Sequence, residues 1–137
     1  MDYITAKQKA IKYIGLSKKT EQEVKNKLLK LEVQEDIIAE VITNLISIGY
    51  IDDVTYANLY IKQCLKEEKK TKNEIMQKLL QKGIKEGIIE NSLDSIPETY
   101  QEKVKENIIK AKSKSLNEEK LNKYLCSKGL IEYKEWE

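Results

Sequence analysis

The stretch TEQEVKNKLLKLEVQEDII, residues 20–38, comes back 51 residues later as TKNEIMQKLLQKGIKEGII, residues 71–89. Eight of the 19 aligned positions are identical, and Val24/Ile75 and Val33/Ile84 exchange one β-branched residue for another. A shift of 46 lays NEEKLNKYLCSKGL, residues 117–130, over TKNEIMQKLLQKGI, residues 71–84, with lysine, glycine and the apolar positions in register. Self-similarity at a fixed period marks a repeat architecture, in which one supersecondary unit recurs and leans on its neighbours to bury its apolar face. The chain reads as three copies of one unit.

Within a unit the helix signals are explicit. Thr20 with Glu23, and Thr71 with Glu74, have the spacing of a capping box, in which the threonine oxygen takes an orphan N–H and the glutamate reaches back to the cap. Each pair opens the middle helix of its unit, and Gly83 and Gly129 stand where such helices stop, at a position that favours a left-handed backbone. Upstream, Ala6, Ala10, Tyr13 and Ile14 form a stripe at three-to-four spacing, as do Val104, Ile108 and Ala111 in the third copy. Downstream, Ile37, Ile38, Val41, Ile42, Leu45 and Ile46 form another. Every unit is therefore helix, capped helix, helix, and no stretch alternates as a strand would. The expected fold is all-α, an elongated helical-repeat body of three three-helix modules at 1–50, 51–97 and 98–137. In the last module KGLIEYKEWE leaves room for only about one to two turns of the closing helix.

The composition agrees with that expectation. Charged residues make up 35% and aromatics 7%, with one proline and five glycines, which suits helices around thin cores. No window approaches the roughly 20 apolar residues of a membrane span, and the N-terminus has no apolar signal core, so a soluble cytoplasmic protein is expected. Cys64 and Cys126 are far apart in sequence and there is no histidine, so they are expected to be small buried apolar residues, with no disulfide framework, metal or cofactor. Net charge is only +2, but the charge comes in blocks. Residues 7–30 hold eight lysines against two acids, 31–61 six acids and no lysine, 62–85 eight lysines against three acids, 86–102 five acids and no lysine, and 103–128 eight lysines against three acids.

At the first boundary between units stands GYIDDVTYANLY, residues 49–60. With Asp52 as N-cap its carboxylate accepts from Val54 or Thr55, and Asp53 meets the positive helix end. Ile51 and Tyr56 then occupy the two positions of a hydrophobic staple. Tyr56, Ala57, Tyr60, Ile61, Cys64 and Leu65 give the following helix its buried face. Two acids at a helix start are a capping device, because a metal or acid–base site would want further ligands or a titrating partner.

The string GYIDDVTYANLYI, the lysine-rich segment after it and then TKNEIMQKLLQKGIKEGII resemble the signature of the RecX family of recombinase regulators. Upstream, AIKYIGLSKKTEQEVKNKLLK is similar to that family's first module, and the resemblance runs from about Thr5 to about Leu130. It implies tandem three-helix modules in a curved body that binds the RecA recombinase, lies along the RecA–DNA filament and inhibits its ATPase and strand exchange, without a reaction of its own. By the same resemblance Asp52, Asp53, Tyr56, Ala57, Thr20, Glu23, Thr71, Glu74 and Gly83 are signature positions with structural roles. Consistent with a binder, the sequence has no Walker loop and no nucleophile–base pairing. It departs from a typical nucleic-acid binder in having no arginine, so every phosphate contact falls to lysine as a point charge, which favours backbone contacts over base reading. It also begins close to the first module, where family members often carry additional sequence.

The candidate contacts to DNA or partner are therefore lysines. KQCLKEEKKTKNEIMQK presents Lys62, Lys66, Lys69, Lys70, Lys72 and Lys78, and KAKSKSLNEEKLNK presents Lys110, Lys112, Lys114, Lys120 and Lys123. The bland reading of both runs is a solvated polar face. The expected partners are the RecA filament and single- or double-stranded DNA held weakly or through that filament, the chain itself being monomeric. Two other functions fit the same residues. One is an autonomous DNA-binding protein of helix-turn-helix-like modules, and the other a helical adaptor for an unrelated protein.

Overall fold

A helix leaves four backbone N–H groups unpaired at its start, and in this chain the sequence supplies side-chain acceptors for most helices. The computed structural model describes residues 1–132, and every regular element among them is an α-helix. The first three are α1 (Tyr3–Leu16), α2 (Glu21–Lys30) and α3 (Glu35–Ser47). Then come α4 (Asp53–Glu67), α5 (Lys72–Gln81) and α6 (Glu86–Leu93), followed by α7 (Tyr100–Lys112) and α8 (Glu118–Ser127). The all-α expectation is borne out. Asp2, Thr20, Asp52, Thr71 and Asn117 each accept from a backbone N–H three residues on, and both expected capping boxes close in full. Each such cap stabilises its helix by about 1 kcal/mol.

The middle helices also end alike. At α5 the amide of Gly83 donates to the Leu80 carbonyl at 2.9 Å and that of Ile84 to Leu79 at 3.2 Å, the paired bonds of a left-handed helix stop. Glu32 and Val33 make the same two bonds after α2, and Gly129 and Leu130 make them after α8. Val33 and Ile84, one residue past the turn, are folded back into their cores at 4% and 3% exposure. Thus the conservative apolar exchange noted between the copies is the hydrophobic lock of the stop.

Two cores result. In the first, Ala6, Ala10 and Ile14 of α1 pack with Val24 and Leu28 of α2 and with Ile38, Val41, Ile42 and Leu45 of α3. In the second, Ala57, Ile61 and Cys64 of α4 pack with Ile75 and Leu79 of α5 and Ile89 and Leu93 of α6. Fully burying one such aliphatic side chain stabilises by about 1.5–3 kcal/mol, so these stripes outweigh the caps. The second core also takes Tyr100 and Val104 from α7, whereas α8 buries only Leu125. No third cluster of this kind forms among the described residues.

Four sequence expectations change. Ile51 is sealed into the first core while Tyr56 packs on the second, so the expected staple positions serve two different cores instead of one helix start. Cys64 is buried as expected, but Cys126 is only half-buried, because α8 has a narrow buried face. Ala111 is exposed although Val104 is buried, since the stripe on α7 is covered only along its first turns. Ile46 at the end of α3 is likewise exposed, at 46%. The expected closing helix of the third unit falls on residues 133–137 and lies outside the described residues.

Candidate functional site

The units meet through the ends of their middle helices. The start of α2 stands against the end of α5, where the Thr20 hydroxyl donates to the Lys82 carbonyl at 2.7 Å and Lys82 Nζ reaches Glu23 Oε2 at 3.3 Å. Glu23 is the capping-box glutamate, so one carboxylate serves both its own helix start and the C-cap lysine of the next unit. The start of α5 meets the end of α8 in the same way, with Lys128 Nζ 3.0 Å from Glu74 Oε2. Lys128 is held above its usual range by the hydrogen bond to Glu74. Burial pushes Glu74 up, but the Thr71 amide and Lys128 outweigh it and the carboxyl lies below its ordinary value.

A second contact repeats. The first backbone N–H of α2, at Glu21, donates to Asp53 Oδ1 at 2.9 Å, and the first N–H of α5, at Lys72, donates to Gln101 Oε1 at 2.9 Å. In both cases a side chain from the start of the following unit's first helix caps the middle helix of the unit before. This settles the aspartate pair. Asp52 caps its own helix through the Thr55 amide at 3.1 Å and the Thr55 hydroxyl at 2.8 Å, which hold its carboxyl below the usual range. Asp53 serves a different helix from the one it starts, and burial, with Glu21 and Asp52 nearby, pushes its carboxyl up despite the Glu21 amide. Tyr100 adds a third tie, its hydroxyl donating to the carbonyls of Lys70 at 2.6 Å and Cys64 at 3.1 Å, while Asn107 Nδ2 donates to Glu68 at 3.1 Å. Burial and the nearby Cys64 raise the Tyr100 hydroxyl to about 12.

The expected lysines divide by what they touch. Lys70 donates to Tyr60 Oη at 3.0 Å and lies over that ring, Lys112 lies over the Tyr124 ring, and Lys123 pairs with Glu119 one turn away. Lys62, Lys66, Lys69, Lys72, Lys78, Lys110, Lys114 and Lys120 make no side-chain ion pair among the described residues. Lys62 and Lys66, one turn apart on α4, point into solvent, as does Lys69 in the connector. Because Gln101 and Asn107 bind the 68–72 connector, α7 runs beside it and Lys110, three residues past Asn107, follows on the same helix face. The structure thus joins part of the two lysine runs expected from sequence. The junction residues Lys82, Lys128, Gln101 and Asn107 were not singled out by sequence, where the one signal was Lys82-Gly83 falling in register with Lys128-Gly129.

An apolar recess lies near the aspartates. Ile46 and Val54, each about half exposed, line its volume of about 340 Å³ with Asp52, Asp53 and Lys85 at the edge, and Ile48, Tyr50 and Leu59 are exposed to a similar degree. No group of three or more metal-ligating side chains occurs among the described residues, and none of their helices is long and apolar enough to cross a membrane.

The family model for RecX, first three-helix domain, matches residues 6–45. A regulatory protein RecX from Clostridium acetobutylicum is 39% identical over 71 residues, which are 52% of this chain and 33% of that protein. One from Leuconostoc citreum is 42% identical over 52 residues, 38% of this chain and 20% of its own length. The matched stretches therefore span a third or less of these curated relatives. The crystal structure of RecX from Lactobacillus salivarius superposes with a TM-score of 0.79 at 28% identity, covering 97% of this chain and 90% of that one. A second crystal structure of a regulatory protein RecX gives a TM-score of 0.83 at 26% identity over 95% of this chain and 69% of that one. The resemblance read from the sequence is borne out.

Proposed function

We propose that this chain, RecX-like in sequence and in fold, is a non-enzymatic regulator that binds the RecA recombinase on DNA and restrains its ATP hydrolysis and strand exchange. The observation that carries this is the presence of two kinds of surface on one chain. Lysines without a side-chain ion pair among the described residues occur from α4 to α8, and half-exposed Ile46 and Val54 line an apolar recess. A binder of DNA alone needs the first surface and not the second, while a protein filament loaded with DNA offers a match to both. Three modules at 1–50, 51–97 and 98–137, joined by repeated end-to-end contacts, would lay several weak attachment points along such a filament. Affinity then comes from their sum, and a single lysine change has little effect.

The test is RecA's DNA-dependent ATP hydrolysis on preformed single-strand filaments, titrated with the protein beside a direct binding curve on naked DNA. Inhibition well below the concentration that saturates naked DNA is the expected result. Val54→Asp, at a half-exposed position in the apolar recess, should weaken inhibition and leave the naked-DNA curve in place. Unchanged hydrolysis with the DNA fully bound would favour the autonomous DNA-binding module instead.

A further inference from the structure

The lysine block at 7–30 is as dense as those at 62–85 and 103–128, yet the reading above assigns it nothing. In the structure two of its lysines lie over one ring. Lys19 Nζ lies 4.9 Å and Lys27 Nζ 5.5 Å from the centroid of Tyr13, and Lys19 is fixed by a 2.6 Å hydrogen bond to the Ser17 hydroxyl. Beside that ring a recess of about 240 Å³ is lined by Lys9, Lys12, Tyr13, Leu16, Lys27 and Leu31, with no carboxylate among them. A second depression that shares Tyr13 and Lys27 adds Lys30 and Asn26. Its one acid, Glu23, is already committed to the Thr20 amide and to Lys82.

We propose that this face of the first unit is a binding site for single-stranded nucleic acid. One base lies against the apolar wall of the recess, and the flanking phosphates rest on Lys12, Lys27 and their neighbours. Two features choose that ligand. The ammonium groups outnumber any available carboxylate, so an anion with repeated charge is favoured. The recess wall is apolar, with Leu16 84% exposed, and an anionic strand with a flat unpaired base gains by covering it. A duplex hides that face in its stack, and an acidic peptide satisfies the lysines while leaving the wall bare. The proposal rests on the RecA reading only in that such a filament is one source of single strands.

The experiment is fluorescence anisotropy of a labelled oligo-dT and of an abasic strand of equal length, with the whole protein, across a salt series. Lys12→Gln with Lys27→Gln should weaken oligo-dT binding about tenfold at low salt and reduce the log–log salt slope by about 1.4, about 0.7 per lost phosphate contact. Leu16→Ser sits at a solvent-facing position and leaves the fold intact by circular dichroism. It should cost oligo-dT about fivefold and the abasic strand nothing, the difference a lost base contact makes. No binding of oligo-dT by the unaltered protein, an unaltered slope in the double variant, or equal losses for the two strands would each overturn the site. So would a polyglutamate competitor that displaces oligo-dT as well as an unlabelled strand does, which points to an acidic protein ligand. RecA is absent from these measurements, so failure here and failure of the hydrolysis titration are read separately.

Discussion

The α2/α5 and α5/α8 junctions are built from the same parts and are not equally tight. Both pair a C-cap lysine with a capping-box glutamate, Lys82 with Glu23 and Lys128 with Glu74, and both cap the first N–H of a middle helix from the next unit. At α2/α5 the Thr20 hydroxyl also bonds the Lys82 carbonyl, and the backbone of Gly83 lies flush against Gln22. At α5/α8 a Cβ on the corresponding Gly129 would meet nothing within 4 Å among the described residues. A repeat can therefore keep its polar contacts while giving up its packing. The third unit is held mainly by α7, which the second core has absorbed through Tyr100 and Val104.

The sharpest way to break this contrast is one extra methyl group. A Cβ on Gly83 would collide with Gln22 Cβ on a backbone with φ +81°, whereas at Gly129 it meets nothing among the described residues at φ +72°. Gly83→Ala carries both overpacking and left-handed strain, together about 2–4 kcal/mol. Gly129→Ala carries only the strain, about 1 kcal/mol. Urea unfolding followed by circular dichroism would compare them, and equal losses would mean that the close approach at Gly83 contributes nothing. The first unit supplies a natural control. Glu32 holds the equivalent turn at φ +61° in exposed surface, where no neighbouring unit stacks on it.

The difference between local and long-range contacts also explains what could be read in advance. The capping boxes, the glycine stops and the apolar stripes of α1, α3 and α4 were legible because each depends on residues three to five apart in a helix whose geometry is fixed. Asp53 stands in the first turn of α4 as expected, but its bond to the Glu21 amide was not legible because that partner is 32 residues away and is reached only once the units stack. The Thr20 bond to Lys82 spans 62 residues and has a threonine already explained by its local cap, so nothing in the sequence asked for a second role. The lysine runs were visible as composition, but their engagement with Tyr60, Tyr124 and Glu119 depends on rotamers and helix facing. The Tyr13 cluster escaped because its ring fitted the apolar stripe of α1 so well.

A smaller effect tests whether α7 belongs energetically to the second unit. The Tyr100 hydroxyl is the only polar atom of a 3% exposed side chain, and its one proton faces the Lys70 carbonyl in the connector before α5, with the Cys64 carbonyl of α4 also in reach. Tyr100→Phe keeps the ring in the core and removes the donor to Lys70, while the Cys64 carbonyl keeps the Glu68 amide, so global stability should fall by about 1–2 kcal/mol. If α7 were a detachable arm, the variant would instead leave the main urea transition in place. Only hydrogen-exchange protection in α7 and α8 would then fall.

The smallest effect belongs to the ion pair that the looser junction retains. Lys128 and Glu74 have side chains 22% and 40% exposed, so solvent screens their attraction and Lys128→Met should lower stability by only about 0.5 kcal/mol. Its pH dependence is more telling than its size. Glu74 titrates below its unfolded value of 4.5 in the folded chain, so its contribution is present above that pH and fades as acid drives pH through the lower folded value. Lys128 titrates above its unfolded value of 10.5, so its contribution is complete below 10.5 and fades only as pH rises through the higher folded value. The difference in stability between the original chain and Lys128→Met should therefore be flat from about pH 5 to 10 and shrink at both ends. A difference that does not shrink in acid would mean that Lys128 acts through its ammonium over the Tyr124 ring, 5.4 Å away within α8. The pair with Glu74 would then contribute nothing to the α5/α8 junction.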